Sequence, residues 1–218
     1  MRTGILGGTF NPPHFGHLHI AKEAIDLLAL ERVLFIPSGE HPLKKSREIA
    51  AAKDRLAMTK LATDHEPRFN LCDIEIKRSS ISYSVETLAE LAKTCPEHEL
   101  IFMVGSDILT ELHLWKDWQK ILDHAHLVVM VRPGVEVGLS SLEVDSNVGN
   151  FLKDKQVELP EQLDVAKNGF YQFLHLPVTP VDISATQIRE LIKSRASSRG
   201  YTPDGVVDYI EQNRLYLT

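Results

Sequence analysis

Apolar positions along the chain alternate between short continuous runs and helical spacing. Thr3 to Leu6 is a brief apolar run, and Ile20, Ala21, Ala24, Ile25 and Leu28 then recur with helical period. Val33-Leu34-Phe35-Ile36 is closed by Pro37-Ser38-Gly39, as a strand buried on both faces reads. Residues 49 to 62 predict a helix with Leu56, Ala57 and Leu61 on one side, and 69 to 76 predict a strand. Val85, Leu88, Leu91 and Ala92 mark a further helix. Leu100 to Val104 is the most apolar strand and ends at Gly105-Ser106-Asp107, and the run His126 to Val131 ends at Arg132-Pro133-Gly134. Phe173 to Leu176 predicts a last strand, and after Asp182 a helix turns Ile188, Leu191 and Ile192 inward. Beyond a polar linker from Ser194 to Gly200, Thr202-Pro203-Asp204 supplies a cap, a first-position proline and a first-turn acid for a helix over 206 to 213. Residues 135 to 169 are polar without a sustained period and read as a loop with one short helix.

This alternation predicts a parallel sheet with crossover helices, the α/β class. The 218 residues fit one domain, with a core over 1 to 182 and a small helical C-terminal region over 183 to 218. Hydrophobic residues make up 43%, enough for a full core, yet no run approaches a membrane span. Residues 1 to 8 read as a core strand rather than a signal peptide. Cys72 and Cys95 are too few for a disulfide framework and predict two thiols in a reducing cytoplasm. A net charge of −6 argues against nucleic acid as the main partner, since phosphate-backbone binding wants a basic surface. A local pocket of cations and helix termini for a small anion is still compatible with it. The expectation is a soluble enzyme without membrane or nucleic-acid partners, and a homo-oligomer stays open.

The densest chemistry lies at residues 4 to 17. The first strand runs into Gly7 and Gly8, then Thr9-Phe10-Asn11-Pro12-Pro13-His14-Phe15-Gly16-His17, and then a helix. Paired glycines let backbone N–H groups approach an anion, and a helix start adds the positive end of its dipole. Two imidazoles supply donors for charge moving along a phosphate chain. Neither a P-loop nor a dinucleotide G-x-G-x-x-G follows the first strand. A metal site built on His14, His17 and His19 is the competing reading, disfavoured because no carboxylate or cysteine stands nearby. Near the other end, Ile183-Ser184-Ala185-Thr186-Gln187-Ile188-Arg189 offers a helix cap at Ser184 with an arginine one turn along.

GGTFNPPHFGH resembles the H-x-G-H signature of the nucleotidyltransferase superfamily, and ISATQIR resembles its I-S-[SA]-T-x-I-R motif. The resemblance implies a Rossmann-like, doubly wound parallel sheet and an ATP site. Its residues would be Gly7, Gly8, Thr9, Phe10, His14, His17, Gly105, Asp107, Arg132, Ser184, Thr186 and Arg189. Asp107, after the central strand, suits a ribose hydroxyl or a phosphate reached through magnesium, and Arg132 suits adenine. A helix N-cap and a plain turn are their bland alternatives. The implied reaction is adenylyl transfer, in which an acceptor phosphate attacks the α-phosphorus of ATP without needing a base. Magnesium would come with ATP rather than sit in a protein cage.

The acceptor is read from other strings. Ser82-Tyr83-Ser84-Val85-Glu86-Thr87-Leu88 and Leu114-Trp115-Lys116-Asp117-Trp118 resemble segments of bacterial nicotinate-mononucleotide adenylyltransferases. The likeness extends through D-R-L-x-M (Asp54 to Met58) to a closing Tyr209-Ile210 and Leu215-Tyr216. It implies that Lys44, Tyr83, Ser84, Thr87 and Trp115 bind the pyridine mononucleotide, while His14, His17, Lys44 and Arg189 serve catalysis. Trp115 suits stacking on an electron-poor ring, and Trp118 suits core packing. The family's P-P-H-K is here His41-Pro42-Leu43-Lys44, which keeps the lysine but displaces the histidine. Three rivals stand beside this reading. One is an adenylyltransferase for nicotinamide mononucleotide or phosphopantetheine, another a non-catalytic nucleotide-binding module, and the third an RNA-binding synthetase fragment.

Overall fold

A computed structural model describes residues 1–39, 49–78, 80–131, 139, 143–165 and 169–217. Seven strands form one sheet: β1 (Arg2–Gly8), β2 (Arg32–Pro37), β3 (Phe69–Leu71), β4 (Glu99–Gly105), β5 (His126–Val131), β6 (Gln156–Val157) and β7 (Phe173–Pro177). Their order is β3-β2-β1-β4-β5-β7-β6, and the pairings are parallel, so the sheet grows outward from β1 first one way and then the other. That reversal is the mark of a doubly wound α/β fold. The helices are α1 (Phe15–Leu27), α2 (Ala52–Thr63), α3 (Ile74–Lys77), α4 (Ser84–Thr94), α5 (Ile108–Glu111), α6 (Ser146–Lys153), α7 (Ala185–Lys193) and α8 (Asp204–Gln212). Among the described residues no helix is long and apolar enough to cross a membrane.

The chain divides into two compact units. One comprises Met1–Leu6, Glu23–Arg32 and Tyr83–Pro180. In it β1 pairs with β4 from Arg2↔Glu99 to Leu6↔Met103, and Ile101, Val128 and Phe173 are fully buried. Its strand starts are tied by Glu99, which accepts from Arg2 Nε (2.9 Å), His126 Nε2 (2.9 Å) and the Val165 N–H (3.0 Å). The Gln172 N–H occupies His126 Nδ1 at 2.9 Å, so Nε2 carries the hydrogen. Burial pushes the Glu99 carboxyl up, but these three hydrogen bonds outweigh it and hold the pKa at about 2.

The second unit comprises Gly7–Lys22, Val33–Ser82 and Val181–Thr218. The end of β1 meets the end of β2 where the Ser38 N–H donates to the Gly8 carbonyl at 2.8 Å. Met58 and Ala62 of α2 pack with Val206 and Ile210 of α8, and Leu61, Ile192 and Tyr216 close over that cluster.

Four sequence expectations change in detail. The predicted strand over 69 to 76 stops at Leu71, because Ile74-Glu75-Ile76-Lys77 alternates like a strand yet folds as one helical turn, with the Lys77 N–H on the Asp73 carbonyl (3.0 Å). The helix predicted from 49 begins at Ala52 and buries Arg55, Met58, Thr59, Ala62 and Thr63 rather than Leu56, Ala57 and Leu61. Its inner face can include polar residues beside Met58 and Ala62 because Thr59 and Thr63 return their hydroxyls to the carbonyls four residues back, at 2.7 and 2.9 Å. Thr202 does not cap α8; Pro203 holds the cap position, and the Thr202 hydroxyl donates to the Pro13 carbonyl at 2.7 Å. Within 135 to 169 the short helix is α6, capped by Asp145, and it is joined by the two-residue strand β6 on β7.

Candidate active site

β1 delivers Gly7, exposed, and Gly8, half-buried, at its carboxyl end. A Cβ on Gly8 would stand 3.3 Å from the Phe10 ring, so the glycine lets the turn close over that ring. Phe10 itself is 2% exposed, with φ 47°, and packs edge-on against His17 at 5.0 Å. Its phenyl supports the loop from beneath and leaves the outer surface to the backbone and Thr9.

His14 and His17 stack with ring centroids 3.7 Å apart. The His14 N–H donates to His17 Nδ1 at 3.2 Å, which puts the hydrogen of a neutral His17 on Nε2 and makes that atom a donor. Burial lowers His14 to about 4, and burial followed by repulsion from His14 lowers His17 well below its ordinary value. Both rings are therefore neutral near pH 7, serving as N–H donors. His14 Nδ1 is buried without a hydrogen-bond partner. A Cβ on Gly16 would lie 2.9 Å from that atom, so glycine leaves the imidazole its place.

The folded histidines refuse protons that the unfolded chain accepts, and this fixes a pH dependence. Between pH ~6.5 and ~4 the unfolded state binds more protons, so unligated stability falls as pH falls through that window. Glu99 adds a separate loss lower down, from its ordinary value toward about 2. Urea midpoints should decline from pH 7 to 4, with a shallower slope in His14→Gln. An identical slope in the variant would contradict the assignment.

The second motif reaches this loop within the same unit. Ser184 caps α7 by accepting the Gln187 N–H at 3.1 Å. Arg189, one turn along, donates from Nη1 to the Asn11 carbonyl (2.9 Å) and from Nη2 to Thr186 Oγ1 (3.2 Å). Segments more than 170 residues apart in sequence thus present glycine N–H groups, two imidazoles, hydroxyls and a guanidinium together. All are donors suited to a polyphosphate. Among the described residues no three His, Cys, Asp or Glu side chains converge as a metal cage.

Sequence reading gave no role to the groups that hold the loop. Arg55 is 3% exposed and donates to the carbonyls of Ala50 (3.1 Å), Thr9 (2.9 Å) and Ser38 (2.6 Å). Asn11 is 6% exposed, and its Oδ1 accepts from the Ala50 N–H (2.9 Å) and the Tyr216 hydroxyl (2.8 Å). The strings D-R-L-x-M and Leu215-Tyr216 carried the signal, but nothing in local spacing links them to Thr9 or Asn11.

In the first unit, β4 ends at Gly105, and Asp107 is exposed. Asp107 occupies the cap position of α5 but makes no side-chain cap, and its carboxylate folds back over the Cα of Gly105. Tyr83 holds the cap position of α4, and its side chain makes no cap hydrogen bond. Ser84 is half-buried in the first turn and Thr87 is buried. Lys116 spans Tyr83 and Glu86, 4.4 Å from the ring centroid and 2.6 Å from Glu86 Oε1. Trp115 is half-buried, 6.3 Å from the Phe102 ring, while Trp118 is buried edge-on against Phe151 at 5.2 Å. Lys44, His41 and Arg132 lie outside the described residues.

The cytidylyltransferase-like family model matches residues 5–191. A Shewanella woodyi protein named "Probable nicotinate-nucleotide adenylyltransferase" is 38% identical over 218 residues, covering all of both chains. The chain belongs to the nicotinate-nucleotide adenylyltransferase family. A Corynebacterium jeikeium member with the same name is 36% identical over 98% of this chain and 99% of its own. The nicotinic acid mononucleotide adenylyltransferase of Plasmodium falciparum, solved with NaAD, superposes with a TM-score of 0.72 at 15% identity. It covers 99% of this chain and 97% of that one, and it attests the shared family fold.

Proposed function

We propose that this enzyme transfers AMP from ATP to nicotinate mononucleotide, giving deamido-NAD and pyrophosphate in NAD biosynthesis. Full-length likeness to family members supports the activity. The observation that carries the site is the Arg189 bond to the Asn11 carbonyl, which joins the two phosphate motifs in one unit. In this reading Gly7, Gly8, Thr9, His14, His17, Ser184, Thr186 and Arg189 receive the triphosphate, with Gly105, Asp107 and Arg132 serving ATP's nucleoside. Tyr83, Ser84, Thr87 and Trp115 recognise the pyridine nucleotide, and Lys44 meets its phosphate.

A phosphate oxygen of the acceptor attacks the α-phosphorus in line. The new P–O bond forms as the bond from the α-phosphorus to the bridging oxygen breaks, and pyrophosphate leaves with the electron pair. The nucleophile is already an anion, so no base is required and catalysis is positioning with charge stabilisation. His17 Nε2–H donates to the phosphate on which charge builds, and Arg189 grips the departing pyrophosphate. The donors found here suit an anion rather than a cation, so a divalent metal, magnesium in our reading, would ride on ATP and screen its charge. With two cysteines, too few for a disulfide framework, the enzyme in this reading works in a reducing cytoplasm.

Pyrophosphate release should be fastest by far with ATP and nicotinate mononucleotide, compared with nicotinamide mononucleotide and phosphopantetheine. Preference for either other acceptor would overturn the assignment. Trp115→Ala should raise the KM for the pyridine nucleotide about 2- to 13-fold, the worth of an aromatic stack, while sparing that for ATP. An unchanged KM would return Trp115 to a packing role.

A further inference from the structure

We propose that Tyr216 is a positioning residue for the triphosphate site, acting on Arg189 through Asn11. Its hydroxyl donates to Asn11 Oδ1 at 2.8 Å, and the Ala50 N–H takes the same oxygen at 2.9 Å. With both acceptor sites filled, the amide of Asn11 has one orientation. The backbone carbonyl of that residue accepts Arg189 Nη1 at 2.9 Å. The phenol therefore fixes the residue that in turn aims the guanidinium.

The backbone shows how this phenol gets there. Tyr216 has φ 63° and Arg214 φ 52°, so two bulky residues sit in the left-handed region within three positions. Such conformations persist where surrounding contacts over-determine them, and they mark sites where a side chain must be aimed. Here the turned chain brings Tyr216 over the α2–α8 cluster and onto the phosphate loop. Burial raises the phenol above its ordinary pKa, and Arg189 and Arg55 nearby pull the other way without reversing it. The hydroxyl keeps its proton and stays a donor.

The inference rests on the polyphosphate reading of this site but not on the identity of the acceptor. Its test is calorimetric binding of inorganic tripolyphosphate to the full chain. Tyr216→Phe keeps the ring and removes the donor, and it should weaken binding about 3- to 10-fold, as loss of one hydrogen bond does. The KM for ATP should rise in parallel while that for nicotinate mononucleotide stays unchanged. Tyr216→Phe combined with Arg189→Ala should bind tripolyphosphate no more weakly than Arg189→Ala alone, since the phenol acts through the arginine. Unchanged affinity in Tyr216→Phe, or losses that add fully in the double variant, would overturn the proposal. Absence of pyrophosphate release by the wild type with nicotinate mononucleotide would sink the acceptor assignment instead, leaving the tripolyphosphate comparison to decide the role of Tyr216.

Discussion

His17→Ala should lower kcat roughly 10²- to 10³-fold, the usual cost of deleting one donor aimed at developing charge. The Kd for ATP should change less than about threefold. The expectation follows from the tautomer: with Nδ1 occupied by the His14 N–H, the hydrogen of a neutral His17 is on Nε2. That donor is neutral, because burial and the neighbouring His14 keep the ring unprotonated. A neutral donor adds little to ground-state attraction for a charged triphosphate, and its hydrogen bond strengthens as charge accumulates. Equal losses in ATP affinity and in turnover would show that His17 binds substrate uniformly, and the transition-state role would fall.

Arg55→Ala should be the most destabilising single change at this site, by roughly 3–5 kcal/mol, since it strands carbonyls that a charged donor satisfies. The guanidinium is almost fully buried and spans the Thr9 turn, the end of β2 and the residues leading into α2. Burial lowers its pKa, with Tyr216 and Glu75 opposing that shift, yet an arginine shifted down from so high a value remains charged. Its cationic field lies under the loop we assign to the triphosphate, so activity should fail with stability. A lysine reaches three diverging carbonyls poorly and should restore less than half of the loss. Melting temperature by calorimetry should fall by roughly 10 °C or more in Arg55→Ala. Lys60→Ala, which removes only an exposed pair with Asp64, should shift it by about 1–2 °C. Equal shifts in the two variants would remove Arg55 from the scaffold.

The parts of this fold that were legible in sequence are those set by local pattern. The runs at Val33 to Ile36 and Leu100 to Val104 are buried strands because they are apolar throughout and short, and a strand covered on both faces buries every such position. Ser184 reads as a cap because a hydroxyl before a helix has one local use. Legibility ends where partners are distant or where polarity misleads. The buried face of α2 sets Arg55, Thr59 and Thr63 beside Met58 and Ala62, and the three polar residues satisfy themselves by hydrogen bonding, so hydrophobic periodicity points to the opposite side. Thr202 looked like a cap, but its hydroxyl is taken by Pro13, nearly the whole chain away. Ile74 to Lys77 alternates as a strand and folds as a turn of helix, since two-residue and four-residue periods are indistinguishable over four positions. The motifs name the groups we assign to the ligand, and only the folded chain shows Asn11 gathering Ala50, Arg189 and Tyr216 behind them.

The most direct test of the central claim follows the phosphorus atoms. Incubated with nicotinate mononucleotide, ATP labelled at the α-phosphate should place all of its label in the dinucleotide. ATP labelled at the γ-phosphate should place all of it in pyrophosphate. Label from the γ-position on the acceptor, or released as single phosphate, would contradict adenylyl transfer at the His14–His17 loop.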